Sequence, residues 1–238
     1  MNVEYVPSFS LGTQDFSIDN QCCTRPLFHG STEKGINASE EEIRTMYDVS
    51  LKLRDVLVQH FKGVWHEKRV KDYLNEVHNE WFFSAIGSYG VSYYEYGDIY
   101  LTNKFGRALS YSEPSFGELG RMVAGLIQAR EDLGELKNDA ILNTQIARFN
   151  KLHQEYVDST PVIVIFEHVL FDDLLCAQDG SPFLCGNDEF DREGIEMVYE
   201  GIALDFRLLH PQKYVGKAIR GEAIQELQNQ LRIWRRSL

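Results

Sequence analysis

Three short segments carry side chains able to hold or cleave a small molecule. Leu27-Phe28-His29-Gly30-Ser31-Thr32 sets a histidine against a glycine and two hydroxyls. Gly97-Asp98-Ile99-Tyr100-Leu101-Thr102, continuing to Ala108-Leu109-Ser110-Tyr111, spaces two tyrosines eleven residues apart. Glu196-Met197-Val198-Tyr199 places an acid among apolar neighbours. An imidazole exchanges hydrogen bonds near neutral pH, phenol rings stack on flat partners, and a carboxylate meets a cation. Taken singly, each has a plainer explanation: a loop with a convenient glycine, an aromatic ring packed in a core, an acid facing solvent.

The commoner catalytic patterns are missing. No G-x-x-x-x-G-K-[ST] or G-x-G-x-x-G loop follows a strand, which removes the usual phosphate cradles. His66-Glu67 opens an H-E-x-x pattern, but position 70 is Val70, so the second zinc ligand is absent. No G-x-S-x-G elbow occurs. His60, His66, His78, His153, His168 and His210 stand singly, and the four cysteines (Cys22, Cys23, Cys176, Cys185) form neither paired zinc knuckles nor a disulfide framework. No metal site is expected, and the thiols read as reduced and mostly packed.

The elements that must position the three segments can be read from hydrophobic spacing. Ser39 to Glu42 has the form of a capping box, and Met46, Val49, Leu53 and Val56 follow at helical intervals up to Gly63. A second helix is expected over about Glu67 to Asn79. The aromatic, glycine-bearing run from Trp81 to Thr102 predicts strands and a loop. Ser115 to Glu118 starts another helix, and Leu142, Ile146, Phe149 and Leu152 mark a further one reaching about Tyr156. Pro161-Val-Ile-Val-Ile-Phe166 has the length and β-branching of a buried strand. Strands are also expected at Ile195–Tyr199 and around Lys213–Ile219, with a tail helix near Glu222–Arg235. The first forty residues read as turn-rich. Strands from both halves of the chain, without a βαβ rhythm, predict an α+β fold with a mainly antiparallel sheet. With no linker or repeat, the simplest partition is a single domain over residues 1–238 with a helical insertion at about 39–80.

Alternation along Ile195–Glu200 selects among the late acids. Glu196, Val198 and Glu200 share one face if this stretch is extended. Glu200 adjoins Gly201 at the strand end and is the more solvated, and Glu193 precedes the strand as a weaker alternative. Glu196 is the acid of the three that sits within the strand itself.

Composition bounds the partners. The 238 residues are 43% apolar and 25% charged, enough for a sizeable core. A net charge of −12 argues against a surface that coats nucleic acid. Phe206–Leu238 nevertheless holds seven bases against two acids, a local +5 that leaves −17 on the other 205 residues. Such a run is ordinarily a solvated face, with a patch for a phosphate-bearing ligand as the sharper alternative. Nothing reads as a membrane span or signal peptide, so no membrane partner and a cytoplasmic location are expected.

In their order, the three segments resemble the His-Tyr-Glu branch of the ADP-ribosyltransferase superfamily, which includes diphtheria-toxin-like toxins and poly(ADP-ribose) polymerases. His29-Gly30-Ser31 is similar to the family's H-G-[ST] on its first core strand. Gly97 to Thr102 resembles its G-[IV]-Y-[FL]-[AT] strand, and Tyr111 falls where its second ring-stacking tyrosine stands. Phe105-Gly-Arg-Ala108 resembles the helix start of that region, and Glu196-Met-Val-Tyr-Glu-Gly-Ile-Ala the late strand bearing the catalytic glutamate. The likeness spans these anchors and leaves the intervening helices unmatched. It departs from the pattern twice: 71 residues separate His29 from Tyr100, and Ala108 stands where relatives often place a serine, leaving that contact to Ser110 or to backbone.

The resemblance implies a split, mainly antiparallel sheet, NAD+ as substrate and no metal. His29, Gly30, Ser31, Tyr100, Thr102 and Tyr111 would bind the dinucleotide, and Glu196, His29 and Tyr100 would be catalytic. Gly30 would let the backbone approach the nicotinamide carboxamide, His29 would bond the adenosine ribose, and Tyr100 and Tyr111 would sandwich the nicotinamide ring. Glu196 would bond the 2′-hydroxyl of the other ribose and face its developing positive charge. The expected activity is mono-ADP-ribosyl transfer to a macromolecule, RNA, DNA or protein, by a bacterial toxin or phage-defence effector with a possible antitoxin or inhibitor protein. The alternatives are an NAD+ glycohydrolase and a non-catalytic binding protein on the same fold.

Overall fold

The computed structural model describes residues 1–10, 21–38, 99–113, 157–177, 180–183 and 204–236, with helical positions 140, 143, 144, 147, 151, 154 and 155; side chains are described through 232. The strands are β1 (Asn2–Tyr5), β2 (Cys22–Cys23), β3 (Leu27–Thr32), β4 (Tyr100–Thr102), β5 (Pro161–Phe166), β6 (Val169–Leu170), β7 (Leu174–Cys176), β8 (Asp205–Leu208) and β9 (Val215–Arg220). The helices are α1 (Glu33–Ile36), α2 (Phe105–Ser112) and α3 (Glu222–Arg236). Two 3-10 turns, Phe171–Asp173 and Pro211–Lys213, precede β7 and β9.

Seven strands form one open sheet in the order β1-β9-β5-β3-β4-β8-β7, and β2 pairs with β6 separately. Every neighbour pair in the large sheet is antiparallel except β1 with β9. The fold is therefore α+β with a mostly antiparallel sheet. The β5 run explains its own central place: Val162, Val164 and Phe166 point to one side, Ile163 and Ile165 to the other, and all five are at most 1% exposed. A strand buried on both faces needs an apolar residue at every position, and β5 has them.

Alternation carries these two sides through the sheet. On one, Leu27, Leu101, Phe206 and Leu208 join Val162, Val164 and Phe166, beneath Cys23 and Val169 of the β2–β6 ribbon. Phe183 packs there between Phe171, tilted at 5.4 Å, and Phe206, edge to face at 5.0 Å. On the other, Phe28, Ile163, Ile165 and Ile219 pack against Phe105 and Ala108 of α2 and Ala223, Ile224 and Leu227 of α3. We call these the ribbon side and the helix side. A fully buried side chain of this size contributes about 1.5–3 kcal/mol, so the two clusters fix which way each strand faces.

The β5 strand and tail helix fall where the sequence predicts. The strand expected from Lys213 begins instead at Val215, because Pro211–Lys213 closes a 3-10 turn after His210, whose φ is +53°. The turn-rich N-terminus contains β1 and β2, whose short and partly polar sequences hide their pairing, and β3, where the resemblance places a strand. The helices expected after Ser39, over Glu67–Asn79 and from Ser115 lie outside the described residues, as does the strand expected at Ile195–Tyr199. The described positions between 140 and 157 are helical, as the spacing there predicts.

The chain divides into two compact units, Met1–Ile36 with Asp98–Pro114 and Ser159–Leu238, and Asn37–Gly97 with Ser115–Asp158. The whole sheet belongs to the first. The insertion expected at 39–80 falls in the second and outside the described residues. Cys22, Cys23 and Cys176 are in no disulfide, and burial pushes Cys23 up to about 12, so it stays protonated. No helix among the described residues is long and apolar enough to cross a membrane.

Candidate functional site

The His-Gly pair and the first tyrosine lie on neighbouring strands. Strand β3 meets β4 through one register pair, Phe28 with Thr102, and the two strands part beyond it. His29 bridges the parting: its Nδ1 lies 2.9 Å from the Tyr100 carbonyl oxygen. A carbonyl only accepts, so Nδ1 carries the proton and donates it. Burial lowers the His29 pKa against the raising effect of that bond, keeping the ring neutral. Nε2 is then the acceptor nitrogen.

Alternation puts His29 and Ser31 on the ribbon side and Gly30 on the helix side. The reason for glycine is close packing. A Cβ at Gly30 would lie 1.8 Å from the Ala108 oxygen, 2.7 Å from its carbonyl carbon and 2.9 Å from the Ser112 nitrogen. Backbone of α2 thus fills the space that the missing side chain leaves, so a ligand cannot reach Gly30 from that side. Ala108 is fully buried in the same contact, which a serine hydroxyl would disturb. The Ser110 hydroxyl bonds back to the Arg107 oxygen at 2.8 Å.

Tyr100 and Tyr111 come to the same side of the sheet. Tyr100 pairs with Arg207 across β4 and β8, and both alternate away from the ribbon-side residues Leu101, Phe206 and Leu208. Helix α2 follows β4 after two residues, burying Phe105, Ala108 and Ser112. Arg107 reaches Asp205 of β8 at 2.5 Å, so the flank of α2 bearing Arg107 and Tyr111 faces β8. Tyr111 is 37% exposed, and its hydroxyl accepts a long hydrogen bond of 3.4 Å from Arg107 Nε. Thr102 is buried and differently employed: its hydroxyl donates to the Leu204 oxygen at 3.0 Å and accepts from the Lys104 nitrogen at 3.2 Å. It pins the β4 turn.

Asp205 is a buried acid that the sequence alone does not single out. It opens β8 opposite Thr102, on the helix side, with its side chain 7% exposed. Oδ2 pairs with Arg107, whereas Oδ1 is buried without a hydrogen-bond partner. The single Thr102 hydroxyl proton goes to Leu204, which leaves Oδ1 without it. Burial pushes the carboxyl pKa up, opposed by Arg107. An unpartnered buried carboxylate oxygen normally costs stability, and one in a folded protein is a place where a water, an ion or a ligand donor can bind. The available sequence signal is the two-residue alternation in Asp205-Phe-Arg-Leu208, polar toward α2 and apolar toward the ribbon. Glu196, the acid selected from the sequence, lies outside the described residues.

A second buried acid plays another part. Asp173 accepts from Lys213 Nζ at 3.0 and 3.2 Å and from the Tyr214 hydroxyl at 2.6 Å, with neither oxygen orphaned. It ties the turn before β7 to the turn before β9. Among the described residues, no group of three or more His, Cys, Asp or Glu side chains is placed to hold a metal ion. No family model, curated protein or solved structure matches the chain.

Proposed function

We propose that this chain cleaves NAD+ and transfers its ADP-ribose to a macromolecular acceptor. The observation that carries the reading is that Tyr100, Asp205 with its orphaned Oδ1, and the α2 flank bearing Tyr111 share the helix side of β4 and β8. His29 lies on the opposite, ribbon side of β3, and its link to this group is the Nδ1 bond to the Tyr100 backbone oxygen. Two rings and a buried carboxylate on one face suit the demands of this reaction. The glycosidic C–N bond breaks with its electron pair going to nicotinamide, positive charge builds on the ribose, and the acceptor's nucleophile takes that carbon and gives up its proton.

In this reading the tyrosines hold the flat leaving group, each stacking being worth about 1 kcal/mol beyond area burial. The carboxylate faces the developing cation. A unit charge about 4 Å away at an effective dielectric near 20 gives roughly 4 kcal/mol, on the order of a thousandfold in rate. Asp205 is the acid we assign to that task, with Glu196 as the one the sequence motif favours. The fit is incomplete at Gly30 and Thr102, whose open side and hydroxyl the protein itself uses, so ligand contacts there fall to backbone.

The test is labelled NAD+ added to cell lysate with the wild-type chain, Asp205→Asn and Glu196→Gln, followed by protease or nuclease digestion. Label on a macromolecule with the wild type, and its loss with Asp205→Asn alone, is the expected result. Loss with Glu196→Gln alone would move the role to that residue. Brisk turnover of NAD+ without any acceptor would make the chain a glycohydrolase.

A further inference from the structure

Arg107 and Tyr111 stand four residues apart, one turn along the same flank of α2. The Arg107 guanidinium spans two groups: one terminal nitrogen lies 2.5 Å from Asp205 Oδ2, and Nε lies 3.4 Å from the Tyr111 hydroxyl. The partners differ in exposure, 42% for the Arg107 side chain against 7% for Asp205. A rigid, planar fork therefore reaches inward to a buried acid while steadying a half-exposed ring. Holding Oδ2 also fixes the rotation of the carboxylate, and with it the direction in which the orphaned Oδ1 points.

We propose that Arg107 is a positioning residue that sets the Asp205 carboxylate and the Tyr111 ring in one geometry before substrate arrives. This rests on the function proposed above. The described groups facing Asp205 are Arg107 from α2, Thr102 and Tyr100 from β4 and Arg207 along β8. Of these, Arg107 is in ion-pair contact with the carboxylate, and its charge opposes the rise that burial imposes on Asp205.

The test compares Arg107→Gln, Arg107→Lys, Asp205→Asn and the double variant Arg107→Gln with Asp205→Asn. The readouts are the pH profile of kcat/KM for NAD+ and the carbon-13 NMR titration of the Asp205 carboxyl. Arg107→Gln should move the acidic limb and the carboxyl titration to higher pH, and raise KM for NAD+ about fivefold to tenfold through the loosened ring. Arg107→Lys should restore the limb, since it keeps the charge, but not KM, since an ammonium cannot bridge both groups as a fork does. In the Asp205→Asn background, Arg107→Gln should move no limb. An unmoved titration in Arg107→Gln, or an equal movement of the limb without Asp205, would overturn the proposal. If the wild-type chain releases no nicotinamide, the functional reading falls on its own, and the carboxyl titration still decides whether Arg107 governs Asp205.

Discussion

Asp205 and Asp173 are both buried carboxylates on turn-proximal backbone, yet their pKa values move in opposite directions. Burial raises both. At Asp173 the Tyr214 hydroxyl and Lys213 overcome it and hold the carboxyl below its ordinary value, and burial with the Asp173 bond pushes Tyr214 up to about 12. At Asp205, Arg107 does not overcome burial and the net shift is upward. A raised folded pKa contributes stability below the unfolded value and loses it as pH rises through the folded one. Asp205→Asn should accordingly melt higher than wild type at pH 7, with the gain fading as pH falls through the raised folded pKa and gone below the ordinary carboxylate value. Asp173 follows the reverse rule, stabilising above its unfolded pKa and losing that contribution as pH falls through its lowered folded value. Asp173→Asn should cost about 2–3 kcal/mol at pH 7, a drop of about 5–10 °C in a thermal melt, and less in acid. Opposite signs for the two substitutions would separate a site acid from a structural one.

At the scale of elements, α2 decides the site, because it carries Arg107 and Tyr111 and seats its backbone on Gly30. Gly30→Ala puts a methyl carbon against backbone atoms, which cannot swing away as a flexible side chain would. It should cost at least 1–3 kcal/mol in denaturant unfolding. Under the proposed function it should also weaken NAD+ binding as α2 shifts, whereas Gly106→Ala, with nothing within 4 Å, should do neither. The elements legible in the sequence were those whose side chains alone explain them. Strand β5 is apolar at every position, and α3 repeats Ala223, Ile224 and Leu227 at helical spacing. Strand β1 was not legible: Asn-Val-Glu-Tyr has little to bury, and it is placed by pairing with β9. His168 and His210 also kept their reason hidden, both being turn residues with positive φ, at +55° and +53°. The two tyrosines were legible as a spacing, but Asp205 was not, because its significance depends on β8 lying beside β4, a pairing across roughly a hundred residues.

For the whole molecule, the charge map changes once the structure is in hand. The basic C-terminal stretch is not a bare patch. Lys213 pairs with Asp173, Lys217 with Glu167 and Arg220 with Glu33, each partner an acid from outside the stretch. Three of its seven bases are thus neutralised in place, and the case for an extended phosphate-binding surface weakens with them. What stays distinctive is the helix side of β4 and β8, where Tyr100, the α2 flank bearing Tyr111 and an orphaned carboxylate oxygen share one face. The most direct test is nicotinamide release from NAD+ by the purified chain, wild type beside Asp205→Asn, at saturating NAD+ and pH 7. We expect release by the wild type and a loss on the order of a thousandfold in Asp205→Asn, with its fold intact by circular dichroism. Equal release by both proteins, or none by the wild type, would contradict the account.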